Sequence, residues 1–277
     1  MRIAACTIAL VLVTGTLGVS DQPASAPRDI RSFRPSANGF AFVNHFEGSS
    51  LPGGLGAITG DLQQRLGGPS TYGLCGGMSF AAADLFLAGR TPPERTTPPQ
   101  RGEHLFDFLQ KRQVDSLGDA LTLAGTFGRW MSLPDDGPFG TRRLSLDQLL
   151  DLHASIHRGE PAVIGLVFRH HLGNKHARGR AGSPWENHQV LAYDDAEESD
   201  GSFEFRIYDP NYPKADDAVI RGRIKVVGSM LAAPWGGWRV PVYGMECERI
   251  VGSRSRTPVR GIIAMPYTAA TVPAQLE

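Results

Sequence analysis

Net charge, cysteine and repetition are what this sequence has least of, and each shortage closes off a class of protein. The 28 basic side chains are matched by 28 acidic ones, which leaves no surplus positive charge for capturing nucleic acid or an anionic membrane surface. Three cysteines in 277 residues cannot build a disulfide scaffold. No internal repeat marks a solenoid or propeller. What is present is an ordinary globular mixture, 41% hydrophobic and 20% charged, which excludes wholesale disorder. The length allows one large domain or two small ones. The 33 glycines and 20 prolines announce many turns and long connections.

The first segment reads as an address. Arg2 precedes an apolar run from Ile3 to Val19 that is too short and too weakly flanked for a membrane anchor and fits a secretory signal peptide within residues 1–26. Small residues at Gly18, Val19 and Ser20, and again at Ala24, Ser25 and Ala26, offer two cleavage points. Either leaves an exported protein without integral membrane association. Residues 27–37, rich in proline, serine and arginine, read as an exposed lead-in, and the fold is expected from about Gly39 as one domain over 38–277. Cleavage removes Cys6 and leaves Cys75 and Cys247. In an oxidising compartment two cysteines form one bridge, or one of them works.

Phe40, Phe42, Val43 and Phe46 suggest a first strand, and Gly53, Gly54 and Gly56 a loop. From Gly76 to Ala88 the apolar residues Met78, Phe80, Ala81, Ala82, Ala83, Leu85, Phe86 and Leu87 go all round a helix closed by Gly89, the pattern of a buried helix. Four prolines between Thr91 and Gln100 make an extended connection. Helices are then expected through Leu105, Phe108 and Leu109, through Ala120, Leu123, Ala124, Phe127 and Trp130, and through Leu149, Leu150, Leu152 and Ile156, the last opened by a capping box of Ser145 and Gln148. Beyond Pro161 the period changes. Ala162–Phe168, Gln189–Tyr193, Phe203–Tyr208, Ala218–Val227 and Arg260–Met265 read as strands. Helices first and sheet afterwards is the order of an α+β fold, a helical half packed on an antiparallel sheet.

Three places in this frame carry chemistry. Cys75 opens the buried helix, where free backbone N–H groups and the helix dipole suit a thiolate, and Gly76 and Gly77 leave room for a substrate. His188 begins an apolar strand, held as a general base must be. Asp209 ends the next strand, so an antiparallel hairpin turning through Asp195 to Gly201 brings it beside His188. There it would accept the imidazole N–H and leave the other ring nitrogen to deprotonate Cys75.

The order and context of Cys-Gly-Gly-Met at 75–78, Asn-His-Gln-Val at 187–190 and Tyr-Asp-Pro-Asn at 208–211 resemble the papain-like cysteine peptidase superfamily, in particular its bacterial branch related to the double-glycine leader peptidases. The resemblance spans roughly residues 60–215. It implies a papain-like fold with Cys75 as nucleophile, His188 as general base and acid, Asp209 as the orienting residue, and Asn211 as the reserve for that last role. It further implies a secreted hydrolase of peptide or amide bonds, with a peptide or protein substrate and no cofactor. The chain departs from the family at the oxyanion glutamine, because Gln63 and Gln64 lie 12 and 11 positions before Cys75 while Ser70, Thr71 and Tyr72 fill the nearer region. The same three residues would serve a transamidase. A binding protein with Cys75 inert, or oxidised through a bridge to Cys247, is the alternative from another class.

Other clusters read as bland. Arg169, His170, His171, Lys175, His176, Arg178 and Arg180 match no helical histidine pair with a nearby acidic ligand, and form a solvated rim rather than a metal site. Asp209, Asp216 and Asp217 reproduce no calcium loop. Alternation places Cys247 with Tyr243 and Met245 on one strand face, as a small buried hydrophobe.

Overall fold

The computed structural model describes residues 28–47, 71–117, 120–171, 181–182, 186–232 and 237–277. The signal-peptide reading, Gly53, Gly54, Gly56, Gln63, Gln64 and most of the histidine-rich loop lie outside the described residues.

A 3-10 turn at Ile30–Ser32 and a short helix α1 (Pro35–Asn38) precede a two-stranded ribbon of β1 (Phe46–Glu47) and β2 (Thr71–Tyr72). Four longer helices follow: α2 (Cys75–Leu87), α3 (His104–Ser116), α4 (Ala120–Ser132) and α5 (Thr141–His157). Then come β3 (Ala162–Val167), β4 (His188–Glu197), β5 (Ser202–Tyr208), β6 (Ala218–Leu231), β7 (Arg239–Val251), β8 (Ser255–Val259) and β9 (Gly261–Met265). These seven strands form one antiparallel sheet in the order β8-β7-β6-β5-β4-β3-β9. The molecule is α+β, helices before sheet. No helix among the described residues is long and apolar enough to cross a membrane.

The helices divide between the two faces of the sheet. On one face α2 packs between α3 and β4, with Met78, Leu85 and Phe86 meeting Leu105, Leu109, Leu191 and Tyr193 in one core. On the other, Leu149, Leu152 and Ile156 of α5 meet Ile164, Val190, Ile207, Ile220 and Met245. With apolar layers on both faces, β3 is buried at every residue, and its Ala-Val-Ile-Gly-Leu-Val run has no polar alternation. α2 is buried from Gly76 to Phe86 and ends where Gly89 takes φ +69°, a conformation that costs glycine little. Full burial of each Leu, Met or Phe there contributes about 1.5–3 kcal/mol.

The sheet cannot be flat. β8 and β9 are its outer strands, yet Arg260 alone joins them. Seven strands spaced about 4.8 Å would hold flat edges about 29 Å apart, whereas two residues of chain reach about 7 Å. The sheet therefore curls until its edges meet at Arg260, and α5 touches both β7 and β9.

Two expectations are corrected and a third is refined. The lead-in is mostly exposed, as expected, but it is docked rather than loose where it is described: Ile30 and Phe33 are fully buried, Phe33 lies 5.4 Å from the Phe86 ring and 5.6 Å from Tyr193, and the Ile30 amide bonds the Gly159 carbonyl. Two apolar side chains three apart suffice to dock a segment whose composition is otherwise that of a linker. Phe40 and Phe42 are buried in irregular backbone, and only Phe46 and Glu47 pair as a strand, so their alternation marked burial and not pairing. Ser145 and Gln148 are not a capping box, because α5 already starts at Thr141. Their side chains accept from the backbone of β9 instead, Ser145 Oγ from Ile262 at 2.9 Å and Gln148 Oε1 from Ala264 at 3.0 Å.

Candidate active site

Cys75 is the first residue of α2, and the loop before it is fixed from a distance in sequence. The Leu74 amide donates to Asn44 Oδ1 at 2.6 Å, and Asn44 Nδ2 donates to Asn211 Oδ1 at 3.0 Å, tying the helix start to the loop after β5. One helix-terminal amide, Gly77, is satisfied by Gln113 Oε1 of α3 at 2.9 Å. That leaves the amides of Cys75 and Gly76 as the unengaged donors of the turn among the described residues, at the positive end of the helix dipole.

Gly76 and Gly77 serve the packing of α2 rather than the approach of a substrate. A Cβ on Gly76 would fall 2.1 Å from Ser116 Oγ and 2.7 Å from Gln189 Oε1, and one on Gly77 would fall 2.2 Å from the Leu109 carbonyl oxygen. Both faces of the first turn are thus filled by α3 and β4.

His188 is the first residue of β4 and Asp209 follows the last residue of β5, in a hairpin where Leu191 pairs with Tyr208. His188 Nε2 lies 2.7 Å from Asp209 Oδ1. With Nε2 committed, Nδ1 is the ring nitrogen left to face Cys75, whose sulfur lies close enough to help raise the imidazole pKa. Asp209 is fully buried and His188 only 5% exposed, while Cys75 is partly open. Only the thiol end of the set meets solvent.

Charge explains how an aspartate survives there. Asp209 Oδ1 also accepts the Asn211 amide at 2.9 Å, and Oδ2 faces Arg249 Nη1 at 3.2 Å. Arg249, from β7, is buried with its guanidinium 5.4 Å from the ring centroids of Phe168 and Tyr212, a cation–π sandwich that holds the charge without water. Burial would raise the Asp209 pKa, but the charge and hydrogen bond of His188, then Arg249 and the Asn211 amide, outweigh it and leave it below the usual carboxylate range. Burial likewise disfavours a charged His188. Asp209 and then Cys75 overcome it and raise the imidazole to about 10. The imidazolium–carboxylate pair is the state this pocket favours.

All three sequence-chosen residues are therefore brought together. Asn211 does not hold the imidazole; its side-chain oxygen is engaged with Asn44, and its amide supports Asp209. Cys247 lies on β7 in the core layer beneath α5; both it and Cys75 are free, and burial pushes the Cys247 thiol up to about 12. Asp216 accepts the Ser36 amide, and Asp217 pairs with Arg254. A cavity of about 680 Å³ lined by residues such as Asp29, Arg158 and Tyr267 includes none of the three.

Sequence reasoning missed Asn44, Gln113 and Arg249. Gln113 and Arg249 sit at helix and strand positions that look like ordinary surface polar residues. The available signal was Asn44, a polar residue inside an otherwise phenylalanine-rich segment. No protein-family model, curated protein or solved structure matches the chain.

Proposed function

We propose that this chain is an exported thiol hydrolase with a papain-like arrangement, cleaving a peptide or amide bond through Cys75, His188 and Asp209. The observation that carries the reading is a partly open thiol at a helix N-terminus, against an imidazole whose far nitrogen is held by a buried aspartate. The papain-like part is supported by the cysteine helix packed on β4, with the histidine at that strand's start and the aspartate at the next strand's end. Export is supported by the apolar run from Ile3 to Val19.

The Cys75 thiolate attacks the carbonyl carbon and the tetrahedral oxygen takes the negative charge. The Cys75 amide donates to that oxygen, a role worth about 10²–10³ in rate per donor. His188, holding the thiol proton, passes it to the leaving nitrogen as the C–N bond breaks, giving a thioester. The neutral imidazole then takes a proton from water, whose oxygen displaces the sulfur and releases the acid. Asp209 keeps its hydrogen bond throughout and fixes which nitrogen faces the sulfur. An amine in place of water gives a transamidation from the same intermediate.

The test is iodoacetamide alkylation across pH, mapped by peptide mass, in the wild type and His188→Ala. Modification confined to Cys75, persisting below about pH 7 and losing that low-pH arm without His188, is the expected result. Cys247, with its thiol near 12, stays unmodified in the folded protein. Reaction at Cys75 that ignores His188, or that needs prior reduction, would sink the hydrolase and leave a binding protein.

A further inference from the structure

A second constellation lies at the other end of β4. His153 and His157 are one turn apart on α5 with ring centroids 4.1 Å apart, and both face Asp195 of β4. His153 Nδ1 is 2.6 Å from Asp195 Oδ2, and His157 Nε2 is 3.4 Å from Asp195 Oδ1. We propose that His153, His157 and Asp195 form a binding site for a divalent transition-metal ion of the zinc type, independent of the Cys75 chemistry.

The backbone is arranged to make this cluster. Val190 and Ala192 of β4 point into the layer beneath α5, so strict alternation would send Asp194 there and turn Asp195 away. The register of β4 against β5 shifts between Ala192 and Asp194, a bulge that re-aims the side chains after it. Asp195 then meets the histidines of α5. Its side chain is only 13% exposed while the imidazoles are half open, so a carboxylate rooted near the end of an interior strand faces two imidazoles that meet solvent. Arg31, whose charge is felt at Asp195, gives its side-chain hydrogen bonds to Asp29.

Donor type and spacing then select the ligand. Two histidines at i and i+4 on one helix face plus a carboxylate is a nitrogen–oxygen set suited to zinc, nickel or copper and poor for calcium or magnesium. All candidate ligand atoms lie within 4.8 Å of one another, so small rotamer changes bring them to metal bonds of about 2.0–2.2 Å. The fourth position faces water. Seven residues of strand separate Asp195 from His188, about 23 Å along β4. Such an ion would tie α5 to β4 from outside the core.

Cobalt(II) serves as the optical probe, with zinc(II) as its competitor, on the full-length protein. Expected is one equivalent of cobalt giving visible bands without the sulfur-to-metal absorption of a thiolate site, displaced by zinc and retained in Cys75→Ser. His153→Ala and His157→Ala, both at exposed helix positions, and Asp195→Asn should each weaken it at least tenfold, with unchanged circular dichroism. Zinc should raise the Tm of the wild type and not of His153→Ala. No uptake by the wild type, uptake lost in Cys75→Ser, or uptake that survives His153→Ala with His157→Ala would overturn the site.

Discussion

His188 carries a charge that burial alone would remove, and this makes folding depend on pH in a definite direction. Its folded pKa of about 10 exceeds the unfolded value of about 6.5. Its contribution is therefore complete below about pH 6.5 and is lost as pH rises towards 10. Asp209 has the opposite sign: its pKa is lowered, so its contribution is present above about pH 4 and is lost as pH falls through the folded value. Urea unfolding should show wild-type stability declining by a few kcal/mol between pH 6.5 and 10, a slope that His188→Gln lacks. A flat wild-type profile would remove the charged pair from the native state. Cys75, His188 and Asp209 were legible in the sequence because each sits at a boundary that local pattern announces: a helix start and two strand ends. Arg249 was not, because what makes it part of the site is the pairing of β7 with β6 and the rings of Phe168 and Tyr212, which come from distant parts of the chain.

At the scale of elements, α5 is fastened to β9 by side chains more than its apolar face requires. Ser145 Oγ donates to the Thr141 carbonyl inside the helix and accepts the Ile262 amide. Ser145→Ala should leave that buried amide without a partner and cost about 1–3 kcal/mol in urea unfolding. An unchanged midpoint would mean the strand amide finds another acceptor. The same contact shows why the serine-to-glutamine spacing misled: a capping box and a helix-to-strand clasp share one sequence pattern, and only the position of the true helix start at Thr141 separates them. The β3–β6 and β9 strands were legible from apolar runs bounded by turn residues. β8 was not, since its Ser-Arg-Thr-Pro-Val carries one buried residue, and its place is set by β7. The histidine pair on α5 was open to the same reading of spacing, but its carboxylate comes from a strand and reaches it only through the bulge in β4.

Across the whole molecule, Arg260 holds the sheet's two edges. Its amide bonds the Val167 carbonyl and its own carbonyl accepts from Thr141. Its guanidinium meets Asp135 at 2.7 Å, the Leu133 carbonyl at 2.9 Å and the Arg169 carbonyl at 2.6 Å. Arg260→Ala removes the buried guanidinium that meets Asp135 and the two carbonyls, and should lower unfolding free energy by about 3 kcal/mol. Arg260→Lys should restore little, because a single ammonium cannot span three acceptors set in a plane. Near-wild-type stability in either variant would mean that the seam is held elsewhere. The closure also sets an order on biosynthesis. β9, the last strand, pairs with β3 from nearly a hundred residues earlier, so β3 keeps an open, adhesive edge while the intervening chain is being made. A ribosome-bound chain halted before Gly261 carries Cys75, His188 and Asp209 and has no closed sheet to hold them.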